Sequence, residues 1–180
     1  MFRPQLGRNI RIIMTTAICP GSFDPITLGH LNIIRRASKI FDRVVVCVMV
    51  NAEKKTPMFS LEERVELIER VVRRFRNVSV DSSSMLLAEY AKQFEGAVVV
   101  KGLRAVSDFE SEFQMAIINK KMNPDLETMF LTSSEKYTYI SSSMVKEMAR
   151  YGTDLRKFVP MEILDDVIEK TKQEGPKNGK

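Results

Sequence analysis

The sequence predicts an α/β fold: a parallel five-stranded sheet with helices on both faces and two helices appended at the C-terminal end. Three observations carry this. The apolar pattern alternates between strand-like and helical spacing about five times along the chain. Two runs, VVVCVMV after Arg43 in the segment 43–50 and AVVV at 97–100, are continuously apolar and rich in β-branched residues, as strands buried on both faces are. Every strand candidate is followed by a helical segment, the connection that parallel strands need and that crosses over right-handed.

Residues 15–19 form a short first strand. Helical spacing follows over 30–41, through Leu31, Ile33, Ile34, Ala37, Ile40 and Phe41, and 43–50 is the second strand. Ser60-Leu61-Glu62-Glu63 reads as a capping box, in which the serine accepts from the first turn and the glutamate reaches back; it opens a helix through about residue 75. A short strand over 77–81 and a short helix over 85–94 come next, then strand 97–101, which ends in a cation, Lys101. Residues 108–122 are helical, 126–131 form the last strand, and 141–151 and 160–172 are the terminal helices. No repeat, low-complexity block or linker divides the chain. One domain over 14–172 is expected, with 1–13 a flexible extension and 173–180 a flexible, solvated tail.

At 180 residues, with 44% apolar and 28% charged, the chain can bury a core, which excludes wholesale disorder. No apolar run approaches the roughly 18 residues of a membrane helix, so no membrane partner is expected. Two cysteines and one histidine exclude a disulfide framework and a zinc site of Cys and His clusters. Cys19 and Cys47 lie in apolar runs and read as buried, reduced thiols of a cytosolic protein. The net charge of +5 resides at the two ends: Arg3, Arg8 and Arg11 stand without an acid, and Lys170, Lys172, Lys177 and Lys180 face only Glu174. The intervening domain is close to neutral, so net charge gives a nucleic-acid partner no support. The eleven methionines read as core filling.

Ligands of a parallel sheet bind beyond the carboxyl ends of its strands, and unusual polar residues cluster there. Pro20-Gly21-Ser22-Phe23-Asp24-Pro25-Ile26-Thr27-Leu28-Gly29-His30 connects the first strand to its helix. Free amides and the positive end of the dipole suit that helix start to phosphate, and His30, the only histidine, can donate to a phosphoryl oxygen. Taken alone, Thr27-Leu28-Gly29-His30 fits a plain turn with a surface histidine equally well; the preceding residues favour the phosphate reading. Lys101-Gly102-Leu103-Arg104 places two cations around a glycine at a strand end, which reads as an anion grip. Lys54, just past the second strand, reads by itself as a solvated loop lysine. Ile140-Ser141-Ser142-Ser143 opens a helix, where a serine caps free amides. With Tyr137 and Tyr139 it also makes a donor-rich, partly aromatic wall suited to adenosine and phosphate. No carboxylate trio for a metal is visible.

The segment P-G-S-F-D-P-I-T-x-G-H resembles the nucleotidyltransferase superfamily with an (H/T)-x-G-H signature, and more narrowly the bacterial phosphopantetheine adenylyltransferase family. Three further blocks are similar to that family in the right order: Lys54-Lys55 with Pro57-Met58-Phe59 and Leu61 to Arg64, Gly102 to Glu110 with Glu112, and Tyr137 to Ser143. The resemblance covers residues 16–160. It implies a Rossmann-like fold and reversible adenylyl transfer from ATP to 4′-phosphopantetheine, giving dephospho-coenzyme A and pyrophosphate.

By the same resemblance His30 stabilises the pentacovalent transition state, and Lys54 binds the pantetheine phosphate and offsets charge during transfer. Counting back from Pro57 would put Lys55 in the place of Lys54. Ser22 would contact both substrates and Phe23 the nucleotide. Gly102, Leu103, Arg104 and Glu112 would bind ATP, as would Tyr137, Thr138, Tyr139, Ile140, Ser141, Ser142 and Ser143. Leu87 and Lys101 would meet the pantetheine arm. Lys101 stands where the family usually has arginine, which keeps the charge but not the bidentate fork. The resemblance further implies Mg2+ held mainly by ATP phosphates and water, a cytoplasmic homohexamer, and coenzyme A as a feedback inhibitor. A nicotinate-mononucleotide adenylyltransferase or a cytidylyltransferase would share the first motif and the serine block, but not K-G-L-R-A-V-S-D-F-E. A nucleotide sensor would have no use for a transition-state donor. A nucleic-acid module would rely on the basic ends.

Overall fold

The computed structural model describes residues 15–50, 57–104 and 106–174. Over them run β1 (Thr16–Gly21), α1 (Leu28–Ala37), β2 (Arg43–Met49), α2 (Leu61–Val72), β3 (Val78–Ser83) and α3 (Leu87–Ala91). They are followed by β4 (Ala97–Leu103), α4 (Val106–Met122), β5 (Glu127–Thr132), α5 (Ser142–Arg150) and α6 (Leu164–Glu174). The expected extension 1–13, Lys54, Lys55 and residues 175–180 lie outside the described residues.

The five strands are all parallel, in the order β3-β2-β1-β4-β5. The chain first winds outward from β1 and then returns to place β4 on its other side, so the topological switch point lies between β1 and β4. Their pairing stops at Ile18 and Val99. Beyond it β1 continues to Gly21 and β4 to Leu103 without pairing to each other, and the separation opens a crevice at the carboxyl edge. Pro20, which cannot donate to a ladder, lies past that parting.

The side-chain alternation of the strands divides the core in two. Ala17, Cys19, Val44, Val46 and Val48 pack on the face with α1, α2, α5 and α6. Ile18, Val45, Cys47 and Val99 pack on the other, with Ala88, Tyr90 and Ala91 of α3. Val44 to Val48 are all buried, as the unbroken apolar run predicts. Both cysteines are buried and free. Burial pushes their thiols up, to about 12 for Cys19 and about 11 for Cys47, so neither supplies a thiolate.

Most boundaries shift by a few residues from the sequence reading, and three of the differences have a local account. The first helix begins at Leu28 rather than residue 30, because Thr27 caps it by accepting from the His30 N–H at 3.3 Å. The last begins with a 3-10 turn, Met161–Ile163, before α6. Gly21 and Gly102-Leu103 belong to strands, not to connections. Among the described residues no helix is long and apolar enough to cross a membrane.

Candidate active site

A cavity of about 410 Å³ occupies the crevice where β1 and β4 part. The loop after β1 contributes Ser22 and Phe23, and the first turn of α1 Gly29 and His30. From the end of β4 come Lys101, Gly102 and Arg104, from α4 Asp108 and Glu112, and from the start of α5 Ile140 to Ser143. The carboxyl ends of β1 and β4 and the N-terminal parts of α1, α4 and α5 meet there, on either side of the switch point.

His30 is the third residue of α1 and completes a capping box with Thr27. The Thr27 N–H donates to His30 Nδ1 at 3.1 Å, and the Thr27 hydroxyl lies 3.1 Å from the same nitrogen. A backbone N–H can only donate, so Nδ1 accepts and the ring proton resides on Nε2. The Phe23 ring meets the imidazole edge-on, with centroids 5.1 Å apart. Burial, and then the charges of Arg104 and Lys101, lower the imidazole from 6.5 to about 4. At neutral pH His30 is therefore an uncharged, oriented donor. Thr27 is a residue that motif reading passed over, although its i, i+3 spacing to His30 is that of a capping box.

The loop that presents this turn is tightly shaped. Phe23 is buried with φ 46°, a left-handed conformation rare outside glycine. A side chain at Gly21 would bring its Cβ to 3.0 Å from the Phe23 ring. Arg64 of α2, itself buried, donates to the Ser22 carbonyl at 2.9 Å and to the Ser60 carbonyl at 3.2 Å. Arg64 thus holds the loop from beneath, a role its place in the second block did not disclose.

Each cation of the grip has a carboxylate partner. Arg104 donates to Asp108 from Nε at 2.9 Å and from Nη2 at 3.2 Å, and from Nη1 to the Ile140 carbonyl at 3.2 Å. Lys101 Nζ lies 3.1 and 3.0 Å from the two oxygens of Glu112. Of the serines, Ser141 caps α5 by accepting from the Met144 N–H at 3.1 Å, and Ser142 donates to the Pro25 carbonyl at 2.8 Å. Ser143 is exposed at the cavity wall.

Comparison with known proteins agrees with this geometry. Residues 18–148 match a family model described as Cytidylyltransferase-like. A phosphopantetheine adenylyltransferase of Caldanaerobacter subterraneus subsp. tengcongensis is 51% identical over 160 residues, 89% of this chain and 99% of that protein. The chain belongs to the phosphopantetheine adenylyltransferase family. A Clostridium tetani protein of the same name is 52% identical over 158 residues, covering 88% of this chain and 98% of its own. Two solved structures share the fold. One is a putative nicotinate-nucleotide adenylyltransferase from Vibrio parahaemolyticus, with TM-score 0.63 and 17% identity over 87% of this chain and 96% of that one. The other, a bifunctional NMN adenylyltransferase/ADP ribose pyrophosphatase from Francisella tularensis, has TM-score 0.63 and 14% identity over 91% of this chain and 52% of that one.

Most of the residues picked out by motif converge on one cavity, and some do not. Ser22, Phe23, His30, Lys101, Gly102, Arg104, Glu112 and Ile140 to Ser143 line it; Leu103, Tyr137, Thr138 and Tyr139 are not among its lining. Tyr139 is 60% exposed and edge-on to Phe158, while Tyr137 packs on the core. Leu87 lines a smaller neighbouring cavity of about 130 Å³ that shares Lys101 and Glu112. Gly102 does more than let a ligand approach: a Cβ there would lie 2.7 Å from Ile33 Cγ1, so its bareness lets α1 pack on β4.

Proposed function

We infer that this chain transfers the adenylyl group of ATP to 4′-phosphopantetheine, reversibly, giving dephospho-coenzyme A and pyrophosphate in coenzyme A biosynthesis. One observation above all supports the residue roles: an imidazole fixed as an Nε2–H donor in the cavity that also holds Arg104 and Lys101. A phosphate oxygen of phosphopantetheine attacks the α-phosphorus; the bond from that phosphorus to the bridging oxygen breaks, and pyrophosphate leaves. The nucleophile is already ionised near neutral pH, so no general base is required. What the site must supply is position and charge stabilisation. His30 donates to the α-phosphoryl oxygen as negative charge builds on it, and Arg104 takes the nucleotide phosphates. Lys54, outside the described residues, takes the acceptor phosphate, and Lys101 meets the pantetheine arm.

Ser22 lies where both substrates meet, and Phe23 shapes the nucleotide side. Gly102, Leu103, Glu112 and 137–143 form the ATP side of the proposal, with Ser143 offering its hydroxyl at the wall. The cavity shared by Leu87 and Lys101 suits the pantetheine arm. Coenzyme A joins both moieties in one molecule and is the proposed competitive inhibitor. Among the described residues no group of three His, Cys, Asp or Glu could cage a metal, and Asp108 and Glu112 are engaged with cations. Magnesium therefore fits as a companion of the ATP phosphates, its shell completed by water, where it would neutralise charge on the leaving pyrophosphate.

A cytoplasmic homohexamer completes the proposal. What supports self-association, though not its number or compartment, is α4, which leaves Phe113 at 47% and Ile117 at 54% exposure, more apolar surface than one helix of a monomer commonly shows. Phe113→Glu is expected to lower the molar mass measured by light scattering below that of the wild-type assembly; an unchanged mass would remove α4 from the interface.

Incubation with ATP, magnesium and 4′-phosphopantetheine should yield pyrophosphate and dephospho-coenzyme A, whereas nicotinate mononucleotide or a cytidine nucleotide with its acceptor should yield neither product class. The reverse preference would reject the reading. Because Asp108 competes for Arg104, Asp108→Asn should tighten ATP binding. The pair is about one-third exposed, so its worth is at most about 1 kcal/mol and the gain up to about fivefold. Calorimetric titration measures it, and weaker binding would show that Asp108 orients the arginine instead.

A further inference from the structure

The Asp24 carboxylate is 2% exposed and does not line the cavity, yet it joins three parts of the chain that do the cavity's work. Its Oδ2 accepts from the Met58 N–H at 3.1 Å and from Lys146 Nζ at 2.7 Å, and its Oδ1 accepts from the Phe59 N–H at 2.9 Å. Burial by itself would raise the carboxyl, but the Lys146 ammonium and the two amides outweigh it and hold it below the usual carboxylate value. Asp24 is thus a buried, charged and fully partnered group, an arrangement that is a poor source of net stability compared with an apolar contact.

What it joins is informative. Asp24 follows Phe23, whose left-handed backbone persists only if its neighbours over-determine it. Arg64 secures the Ser22 carbonyl on one side of Phe23, and Asp24 secures the other. Met58 and Phe59 lead into α2, the helix that carries Arg64. Lys146 lies one turn beyond Ser142 on α5, and Ser142 makes a second tie to the same loop through the Pro25 carbonyl at 2.8 Å. The loop runs directly to Thr27, which sets the His30 ring.

We propose that Asp24 and Lys146 form a positioning pair that clamps the β1–α1 loop to α5, so that the His30 donor and the α5 serines address one reacting group. Neither residue lines the cavity. This rests on adenylyl transfer at the site described, which wild-type activity tests independently.

The experiment compares Lys146→Met, Lys146→Arg, Asp24→Asn and the Asp24→Asn/Lys146→Met double variant in steady-state adenylyl transfer, with melting curves for each. Positioning predicts that Lys146→Met loses about 10- to 100-fold in kcat, the scale of an ångström-level misplacement. Each KM should stay within about threefold, because the groups that bind ATP and phosphopantetheine are untouched. Lys146→Arg should recover most of kcat, and the double variant should be no worse than the poorer single one. The proposal fails if Lys146→Met keeps kcat within twofold, or if its loss appears in KM. It fails equally if Lys146→Met is unfolded at the assay temperature, since the pair would then hold the fold and not the site. A wild-type protein inactive towards phosphopantetheine would instead remove the functional reading itself.

Discussion

Replacing His30 by alanine is expected to lower kcat by about 10²–10³-fold, the usual consequence of deleting one preorganised donor to a developing oxyanion. The dissociation constant for ATP should change by less than about tenfold, because Arg104 and the helix N-terminus remain. Equal losses in both would make the imidazole an anchor for nucleotide, and nothing more. The same residue sets a pH signature. With Nδ1 accepting from Thr27 and the ring held to about 4, the ligand-free His30 stays a neutral donor across pH 5–8, so no titration of it should appear there in kcat/KM, which reports the free enzyme. Stability behaves differently. The native value of about 4 lies below the ordinary 6.5, so as pH falls below 6.5 the unfolded chain binds a proton that the ligand-free native ring refuses. Stability is therefore lost between pH 6.5 and 4, with a slope from this group of at most about 1.4 kcal/mol per pH unit. Denaturant titrations at several pH values should show that slope reduced in His30→Ala; an unchanged slope would mean the ring is not held neutral.

Gly102→Ala is expected to destabilise the protein by about 1–3 kcal/mol, the cost of overpacking a well-filled interface. The added Cβ would meet Ile33 at Cγ1, close to the backbone of α1, where a rotamer change gives little relief. For a chain of this length that corresponds to a fall in Tm of roughly 2–4 °C per kcal/mol. Activity should fall as well, since Gly102 separates Lys101 from Arg104 on the strand that presents both. Ile33→Ala removes Cγ1 and leaves a cavity of its own, so the double variant should lose less than the two single ones added together, by about 0.5–3 kcal/mol. Additive losses, or an unchanged melting point in Gly102→Ala, would refute the steric explanation.

Much of the site was legible because its groups are contiguous in the chain. Residues 20–30 carry the loop, the helix cap and the imidazole within one connection, and local geometry alone brings Thr27 to His30. Lys101 and Arg104 are three apart at the end of β4, and their convergence on one cavity could be read from that spacing. The carboxylates that hold them were less legible. Asp108 and Glu112 face the cations because α4 folds back over the end of β4, and Glu112 was read as a nucleotide contact, not as a partner of Lys101. Tyr137 and Tyr139, read as cavity wall, are not in the lining of the ligand-free cavity, because the 3-10 turn at Glu135–Tyr137 turns Tyr137 onto the core and leaves Tyr139 outside.

The alternation of strands and helices, the doubly buried second strand and the site at the carboxyl edge follow from the sequence by itself. Each is written in the period and composition of short windows, where burial of one face depends on neighbours a few residues away. Only the tertiary structure decided that β1 and β4 part at Ile18 and Val99, that Gly102 makes room for Ile33, and that Asp24 reaches Lys146 across 122 positions. Those contacts join residues whose separation in the chain says nothing about their separation in space. Their energies fall off over a few ångströms, a distance that is defined only once the sheet has closed around its switch point.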